Sequence, residues 1–288
     1  MKTEFNKVAS EMKNVNEIAL FREMAKQFNN NKFTSATYVK EIHKQYVEFN
    51  SSFYGGMKKI ELGDLLFLTY NKSKKELKLC ILQAKYRKKP YKKFLDCNAD
   101  EFQWELLYYK PEVVNKSKMF IPKNIINFRN DYKSITAYGI FYHDRISNEI
   151  DFLYTLPDFF LPKKIIPNPS TVFSFTCPNL GSCRMACCGC GKGCSGKKGI
   201  ILKETIYTCA MDIFENEVIS WKIGAPINDD AIKKYILRLL KSMQRTSDSP
   251  EVIEEILRDQ DFVTDSEYSF GEDAHPSAII VITEGTVD

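Results

Sequence analysis

The sequence predicts an α/β fold in which a mixed β-sheet is flanked by helices. Two observations indicate this class. Amphipathic stretches with helical periodicity alternate with short runs rich in apolar, β-branched and aromatic residues. Two of those runs, residues 62–70 and 77–85, are separated by a polar turn and predict an antiparallel hairpin. A chain of 288 residues with 44% hydrophobic side chains can also bury a sizeable core.

Helices are predicted on both sides of this hairpin. Residues 16–28 are amphipathic, and Thr34 or Ser35 is expected to cap a second helix that runs to about Phe49. Apolar residues recur through that second helix at helical spacing, and a separate face carries polar residues that include Glu41 and Glu48. Further predicted helices cover residues 99–109, 229–243 and 249–258, and further strands cover 136–142, 150–154, 172–175, 199–209 and 278–283.

Charge is distributed unevenly along the chain. The net charge is only +4, yet residues 244–288 contain 12 acidic and 2 basic side chains, whereas the rest contains 39 basic and 25 acidic ones. The excess of basic side chains in residues 1–243 suits a polyanionic partner such as nucleic acid. The acidic end has two interpretations: a solvated tail, or a segment that covers the basic surface until DNA displaces it.

The expected compartment is the cytoplasm. No stretch approaches the roughly 20 consecutive apolar residues of a membrane-spanning helix, and the first residues alternate charged and apolar side chains, unlike a signal peptide. No phosphate-binding or dinucleotide-binding glycine motif is present in the sequence. Dependence on ATP or NAD therefore has no support.

The hairpin carries the residues that suggest chemistry. Asp64 lies near the start of its first strand, and Gln83 and Lys85 lie two residues apart near the end of its second strand. Residues i and i+2 share one face of a strand, and an antiparallel hairpin brings these two strand ends together. A carboxylate and an amide oxygen are ligands that Mg²⁺ accepts, and a lysine ammonium offsets charge in a phosphoryl transition state. A surface hairpin with merely solvated polar ends is the competing interpretation.

These residues resemble a known superfamily. The segments Glu-Leu-Gly-Asp64 and Gln83-Ala-Lys85 are similar to the core of the PD-(D/E)XK nucleases, which have the restriction-endonuclease-like fold. The chain departs from the pattern at Gln83, where Asp or Glu is usual, and this variant resembles Mrr-type restriction enzymes and antiphage effector nucleases. The resemblance covers roughly residues 36–142. A fold that has lost catalysis and only binds DNA stays open.

The resemblance implies a Mg²⁺- or Mn²⁺-dependent endonuclease that hydrolyses DNA phosphodiester bonds in restriction or antiphage defence. Gln83 brings no charge, so Glu48 or Glu41 on the preceding helix is expected to add an acidic ligand, and Glu48 is favoured. A basic run follows the site. Its members are expected to bind DNA phosphates, or else to form a solvated loop: Arg87, Lys88, Lys89, Lys92 and Lys93.

Six of the nine cysteines lie between positions 177 and 194, among glycines and lysines. Clustered thiolates in a reducing compartment suggest tetrahedral zinc, and the favoured ligands are Cys177, Cys183, Cys190 and Cys194. A flexible loop with free thiols and a redox-sensitive segment are the alternatives.

The expected organisation is a nuclease core over residues 1–160. A C-terminal region over 161–288 carries the Cys-rich insertion 177–196, helices, a strand and the acidic end, either as a separate unit or packed as one domain with the core. A homo-oligomer and a defence-system partner protein are both compatible with the sequence. The rival function is a zinc-stabilised nucleic-acid-binding or adaptor protein without catalysis, and an RNA nuclease on the same scaffold is a third reading.

Overall fold

The computed structural model describes residues 1–30, 34–40, 46–52, 54–89, 95–98, 100–114, 121–144, 147–162, 172–175, 208–209, 211–262 and 278–284. These residues form an α/β fold with a mixed sheet between two layers of helices. The described helices are α1 (Lys2–Glu11), α2 (Glu17–Asn29), α3 (Glu101–Tyr109), α4 (Met211–Ile219), α5 (Asp230–Met243) and α6 (Pro250–Asp259).

The main sheet has eight strands in the order β1-β13-β4-β5-β7-β8-β11, with β12 also paired to β5. The strands are β1 (Thr34–Lys40), β2 (Tyr46–Asn50), β3 (Met57–Glu61), β4 (Leu65–Asn71), β5 (Glu76–Arg87), β6 (Leu95–Asn98), β7 (Thr136–His143), β8 (Ile150–Thr155), β9 (Phe160–Pro162), β10 (Val172–Phe175), β11 (Thr208–Cys209), β12 (Ala225–Pro226) and β13 (Ala278–Glu284). β2 and β3 form a separate pair, and β6, β10 and β9 form a three-stranded sheet.

The predicted hairpin is confirmed as β4 and β5, which pair antiparallel with Leu65 opposite Leu82. Along β5 the side chains alternate between two cores. Leu79 and Ile81 pack with α3, α5 and α6, whereas Cys80 and Leu82 pack with α1, α2 and α4. β7 pairs parallel to β5, and α3 lies between these two strands in the chain.

The predicted helix over 16–28 is confirmed as α2, where the Asn16 side chain accepts a hydrogen bond from the Ala19 amide at 2.9 Å. The helices predicted over 99–109, 229–243 and 249–258 are confirmed as α3, α5 and α6. α3 ends at Lys110, which has a left-handed conformation (φ 50°) immediately before Pro111. The helices α1 and α4 were not predicted.

The predicted helix from Thr34 to Phe49 is wrong. Its first part is β1, which pairs along its whole length with β13, and its last part is β2. Within β2, Val47 and Phe49 are buried whereas Tyr46 is exposed, which is the period of two expected of a strand. The apolar residues fit both periods, and pairing with a strand more than 200 residues away decided between them.

The C-terminal part packs into the same cores as the hairpin. β13, predicted as a strand, inserts between β1 and β4 and runs parallel to β4. Ile236 of α5 and Ile253 of α6 belong to the core that also contains Leu66 of β4. The proline-rich stretch 156–169, expected to mark a boundary, is described only as far as Pro162. None of the described helices has the length and apolar character needed to span a bilayer.

Gly139 in β7 lies where three side chains converge in the core that packs against α1, α2 and α4. A Cβ atom at this position would lie 2.7 Å from Phe21 Cζ, 2.8 Å from Leu82 Cδ2 and 2.9 Å from Phe152 Cε2. We expect Gly139→Ala to lower the free energy of unfolding by about 1–3 kcal/mol, because these buried groups must shift. Urea denaturation measures the loss.

A double-mutant cycle provides the control for this prediction. Phe21→Leu removes the Cζ atom, so Gly139→Ala should cost less in the Phe21→Leu background than in the wild-type chain. An equal cost in both backgrounds would contradict the proposed clash.

Candidate functional site

Asp64 and Gln83 meet across the β4–β5 hairpin. Asp64 immediately precedes β4, and the register that pairs Leu65 with Leu82 places it opposite Gln83. The Gln83 Nε2 group donates a hydrogen bond to Asp64 Oδ2. The Ala84 amide donates to the same oxygen at 2.8 Å. Two of the three residues that the sequence singled out are therefore in direct contact.

The residue before Asp64 allows this close approach. A Cβ atom at Gly63 would lie 2.8 Å from Ile81 Cγ2 and 3.4 Å from the Leu82 carbonyl oxygen. Only a residue without a side chain lets the chain enter β4 this near to β5 without a shift. Gly63 thus helps to hold the Asp64 carboxylate against the second strand.

The Gln83 carboxamide is buried, with 5% of the residue exposed. Its nitrogen is bonded to Asp64, but within the described part of the chain its Oε1 atom accepts no hydrogen bond. A buried carbonyl oxygen without a donor costs about 1–3 kcal/mol. A water molecule or a cation is the kind of ligand that removes this cost.

Lys85 lies on the same face of β5 as Gln83, two residues farther along the strand. In the parallel pairing with β7, Gln83 is opposite Tyr138 and Lys85 is opposite Ile140. Lys85 is half-buried, whereas Gln83 is almost fully covered. Exposure on this face of β5 therefore increases from Gln83 to Lys85. The site is partly open to solvent at its Lys85 end.

Glu48 lies on a strand and not on the helix that was predicted to carry it. It lies in β2, opposite Lys59 of β3, and its backbone is bonded to Val114 in both directions at 2.8 and 2.7 Å. Val47 and Phe49 point into the core, so Glu48 lies on the opposite face of its strand. Glu41 lies outside the described residues.

Few carboxylates are available to bind a metal ion at this site. In the described ranges, no three His, Cys, Asp or Glu side chains gather closely enough to hold a metal ion. The ligands that the hairpin itself provides are the Asp64 carboxylate and the Gln83 carbonyl oxygen. This set matches Mg²⁺, which often binds through one or two carboxylates and keeps several waters.

The basic run leaves the site at the end of β5. Arg87 is half-buried and its Nε group donates to the Lys89 carbonyl at 3.0 Å. Lys88 and Lys89 are exposed. Lys92 and Lys93 lie outside the described residues.

Gln103 of α3 is a residue whose position the sequence did not predict. It is 4% exposed, and among the described residues its Nε2 atom has no hydrogen-bond partner. One turn later, the Leu107 carbonyl accepts a bond from Thr136 Oγ1 at 2.7 Å, which fixes α3 at the start of β7.

Among the described residues, the buried atom without a hydrogen-bond partner is a carbonyl oxygen in Gln83 and an amide nitrogen in Gln103. In the sequence, Gln103 stands among the apolar residues of a predicted helix, and a polar residue in such a position is the signal that could have drawn attention to it. The neighbouring Glu105 is occupied elsewhere, since its carboxylate accepts bonds from Ser51 Oγ at 2.7 Å and the Ser52 amide at 2.6 Å.

The proposed zinc ligands Cys177, Cys183, Cys190 and Cys194 lie outside the described residues. Cys80 is described and is a free thiol in the core. Burial raises the pKa of this thiol to about 12, so in the core it stays protonated near neutral pH.

Comparisons with protein-family models, with curated proteins and with solved structures found no match for this chain. A carboxylate and a carbonyl oxygen on adjacent strands, with a lysine on the same face, are suited to holding a divalent ion beside an anionic substrate.

The two buried glutamines should differ in their effect on stability. Gln83→Met removes the donor to the Asp64 carboxylate, and we expect it to lower the free energy of unfolding by about 1.5–3 kcal/mol. Gln103→Met removes an amide nitrogen that has no partner among the described residues, so stability should be unchanged or increased. Urea denaturation of both variants makes the comparison, and an equal loss in the two would show that Gln103 is held by a bond of similar strength.

Proposed function

We propose that this chain is a metal-dependent nuclease that hydrolyses DNA phosphodiester bonds at the Asp64–Gln83–Lys85 site. The observation that carries the proposal is the contact of the Asp64 carboxylate with a Gln83 carboxamide whose buried oxygen accepts no hydrogen bond from the described residues. A role in restriction or antiphage defence follows only from the resemblance to PD-(D/E)XK nucleases.

The protein groups have separate tasks in this proposal. The Asp64 carboxylate would hold the ion together with the Gln83 carbonyl oxygen once the carboxamide turns to bring that oxygen, rather than its nitrogen, beside Asp64. The Ala84 amide keeps the Asp64 carboxylate in place. A bound Mg²⁺ or Mn²⁺ supplies polarisation of the phosphoryl group and a more acidic water. The Lys85 ammonium group orients the attacking water and offsets the negative charge that develops on the phosphoryl oxygens.

The absence of charge on Gln83 has a consequence for metal binding. With one carboxylate, the site would bind the ion weakly in the free protein, and binding would be tighter when an anionic substrate is present. The exposed cations Lys88 and Lys89, with Arg87 at the strand end, bring DNA to the site by contacts with its phosphates. DNA affinity is accordingly expected to fall as salt rises.

Cleavage of supercoiled plasmid tests the proposal. With Mg²⁺ or Mn²⁺ the wild-type chain should nick the plasmid, and with EDTA it should not. We expect Asp64→Asn and Lys85→Met each to lower the rate by at least about 100-fold, because each removes a group that acts in the transition state. Gel electrophoresis of the products measures the rate.

Matched surface variants are the controls. Asp230→Asn and Lys241→Met change exposed residues of α5 and should cut at the wild-type rate. Site variants that cut as fast as these controls would show that Asp64 and Lys85 are not catalytic. Cleavage of RNA but not of plasmid would assign the site to an RNA nuclease, and DNA binding without cleavage would support the non-catalytic adaptor.

A further inference from the structure

Three segments of the chain meet at the end of α3, where Lys110 lies. Trp104 Nε1 of α3 donates a hydrogen bond to the Pro157 carbonyl at 3.2 Å. The Leu107 carbonyl accepts a bond from Thr136 Oγ1 at 2.7 Å. These two bonds tie the end of the helix to the residues after β8 and to the start of β7. Lys110 is partly buried at this junction.

The backbone of Lys110 has a conformation that favours glycine. Its φ is 50°, in the left-handed region, and helices that end in this way most often have glycine at that position. The Lys110 amide donates to the Leu106 carbonyl at 3.0 Å, and the Lys110 carbonyl accepts from Asn127 Nδ2 at 3.0 Å. A lysine is thus held where glycine would relieve the backbone. A backbone outlier of this kind draws attention to its side chain.

Two charged groups act on the Lys110 ammonium, but they are bonded to each other. Lys133 Nζ donates to Asp158 Oδ1 at 3.1 Å. Within the described part of the chain, Lys110 Nζ forms neither a hydrogen bond nor an ion pair. Burial is the largest cause of a lowered pKa at Lys110; Asp158 opposes this effect and Lys133 adds to it. The Cys80 thiol also lies within range, but it stays protonated near neutral pH and adds no charge.

We propose that Lys110 is a nucleophilic lysine that captures aldehydes as imines. A lysine that is partly desolvated, lies near a second cation and has no bonded carboxylate is activated for this reaction, because it loses its proton more readily than an exposed lysine. The neutral Nζ attacks the carbonyl carbon and forms a C–N bond. The carbonyl oxygen then leaves as water with the two protons of the amine, and a C=N bond remains. This reaction needs neither a metal ion nor DNA, so it does not depend on the proposed nuclease.

Reductive trapping on the full chain tests this proposal. Propanal forms the imine, and cyanoborohydride delivers hydride to the imine carbon and so fixes the product as a propyl-lysine. Peptide mass spectrometry gives the initial rate at each lysine. Lys123 is the reference, because its side chain is 72% exposed and is paired with Glu112. We expect Lys110 to react at least about 3-fold faster than Lys123 near neutral pH, although it is less exposed.

Two variants should change the rate at Lys110 in opposite directions. Lys133→Met removes the neighbouring cation and leaves the Asp158 carboxylate to favour the Lys110 ammonium, so labelling of Lys110 should slow. Asp158→Asn removes the carboxylate that favours the ammonium, so labelling should become faster. Lys123→Met removes an exposed lysine elsewhere and should leave the rate at Lys110 unchanged. Circular dichroism checks that each variant is folded.

Three results would overturn the proposal. The first is labelling of Lys110 that is no faster than labelling of Lys123. The second is a rate at Lys110 that Lys133→Met and Asp158→Asn leave unchanged or shift in the same direction, since access to the amine rather than its charge would then set the rate. The third is a rate advantage of Lys110 that persists in concentrated urea, because it would arise from the adjacent residues of the chain and not from the fold.

Discussion

The register between β4 and β5 is the constraint on which the site depends. With Leu65 opposite Leu82, Asp64 faces Gln83 and the Ala84 amide bonds to its carboxylate. A slip of one residue would turn Gln83 and Lys85 to the other face of the sheet and separate them from Asp64. Burial fixes the register, because the alternating side chains of β5 fill two different cores.

Those two cores draw on distant parts of the chain. The core on the Gln83 face contains residues of α3, α5 and α6, and the core on the Ala84 face contains residues of α1, α2 and α4. β13 covers the free side of β4 and joins it to β1. The C-terminal third of the chain therefore stabilises the hairpin that carries the site, and the hairpin is not an independent unit.

The local elements of the fold were predictable from the sequence. The β4–β5 hairpin and α2 each have their own signals, a polar turn between apolar runs in one case and the Asn16 cap in the other. The contact of Asp64 with Gln83 followed from the hairpin alone. The non-local features were not predictable, because the apolar residues of 34–49 fit two periods and only pairing with β13 makes Thr34–Lys40 a strand. The same limit explains why Glu48, which was predicted on a helix, lies on β2 instead.

The candidate site has an amide, Gln83, beside its carboxylate. The amide adds no negative charge for an ion, and its carbonyl oxygen is buried and accepts no hydrogen bond from the described residues. It also lets Gln83 donate to Asp64, which holds the two side chains together without a metal. Ion binding then requires the carboxamide oxygen rather than its nitrogen to be the group near Asp64, a half-turn of one side-chain bond.

A crystal grown with Mn²⁺, at a concentration that supports cleavage, tests the central claim most directly. The account predicts an anomalous difference peak within bonding distance of the Asp64 carboxylate and the Gln83 carbonyl oxygen, with the carboxamide turned accordingly. A map with no peak there, and with Gln83 Nε2 still donating to Asp64, would contradict it.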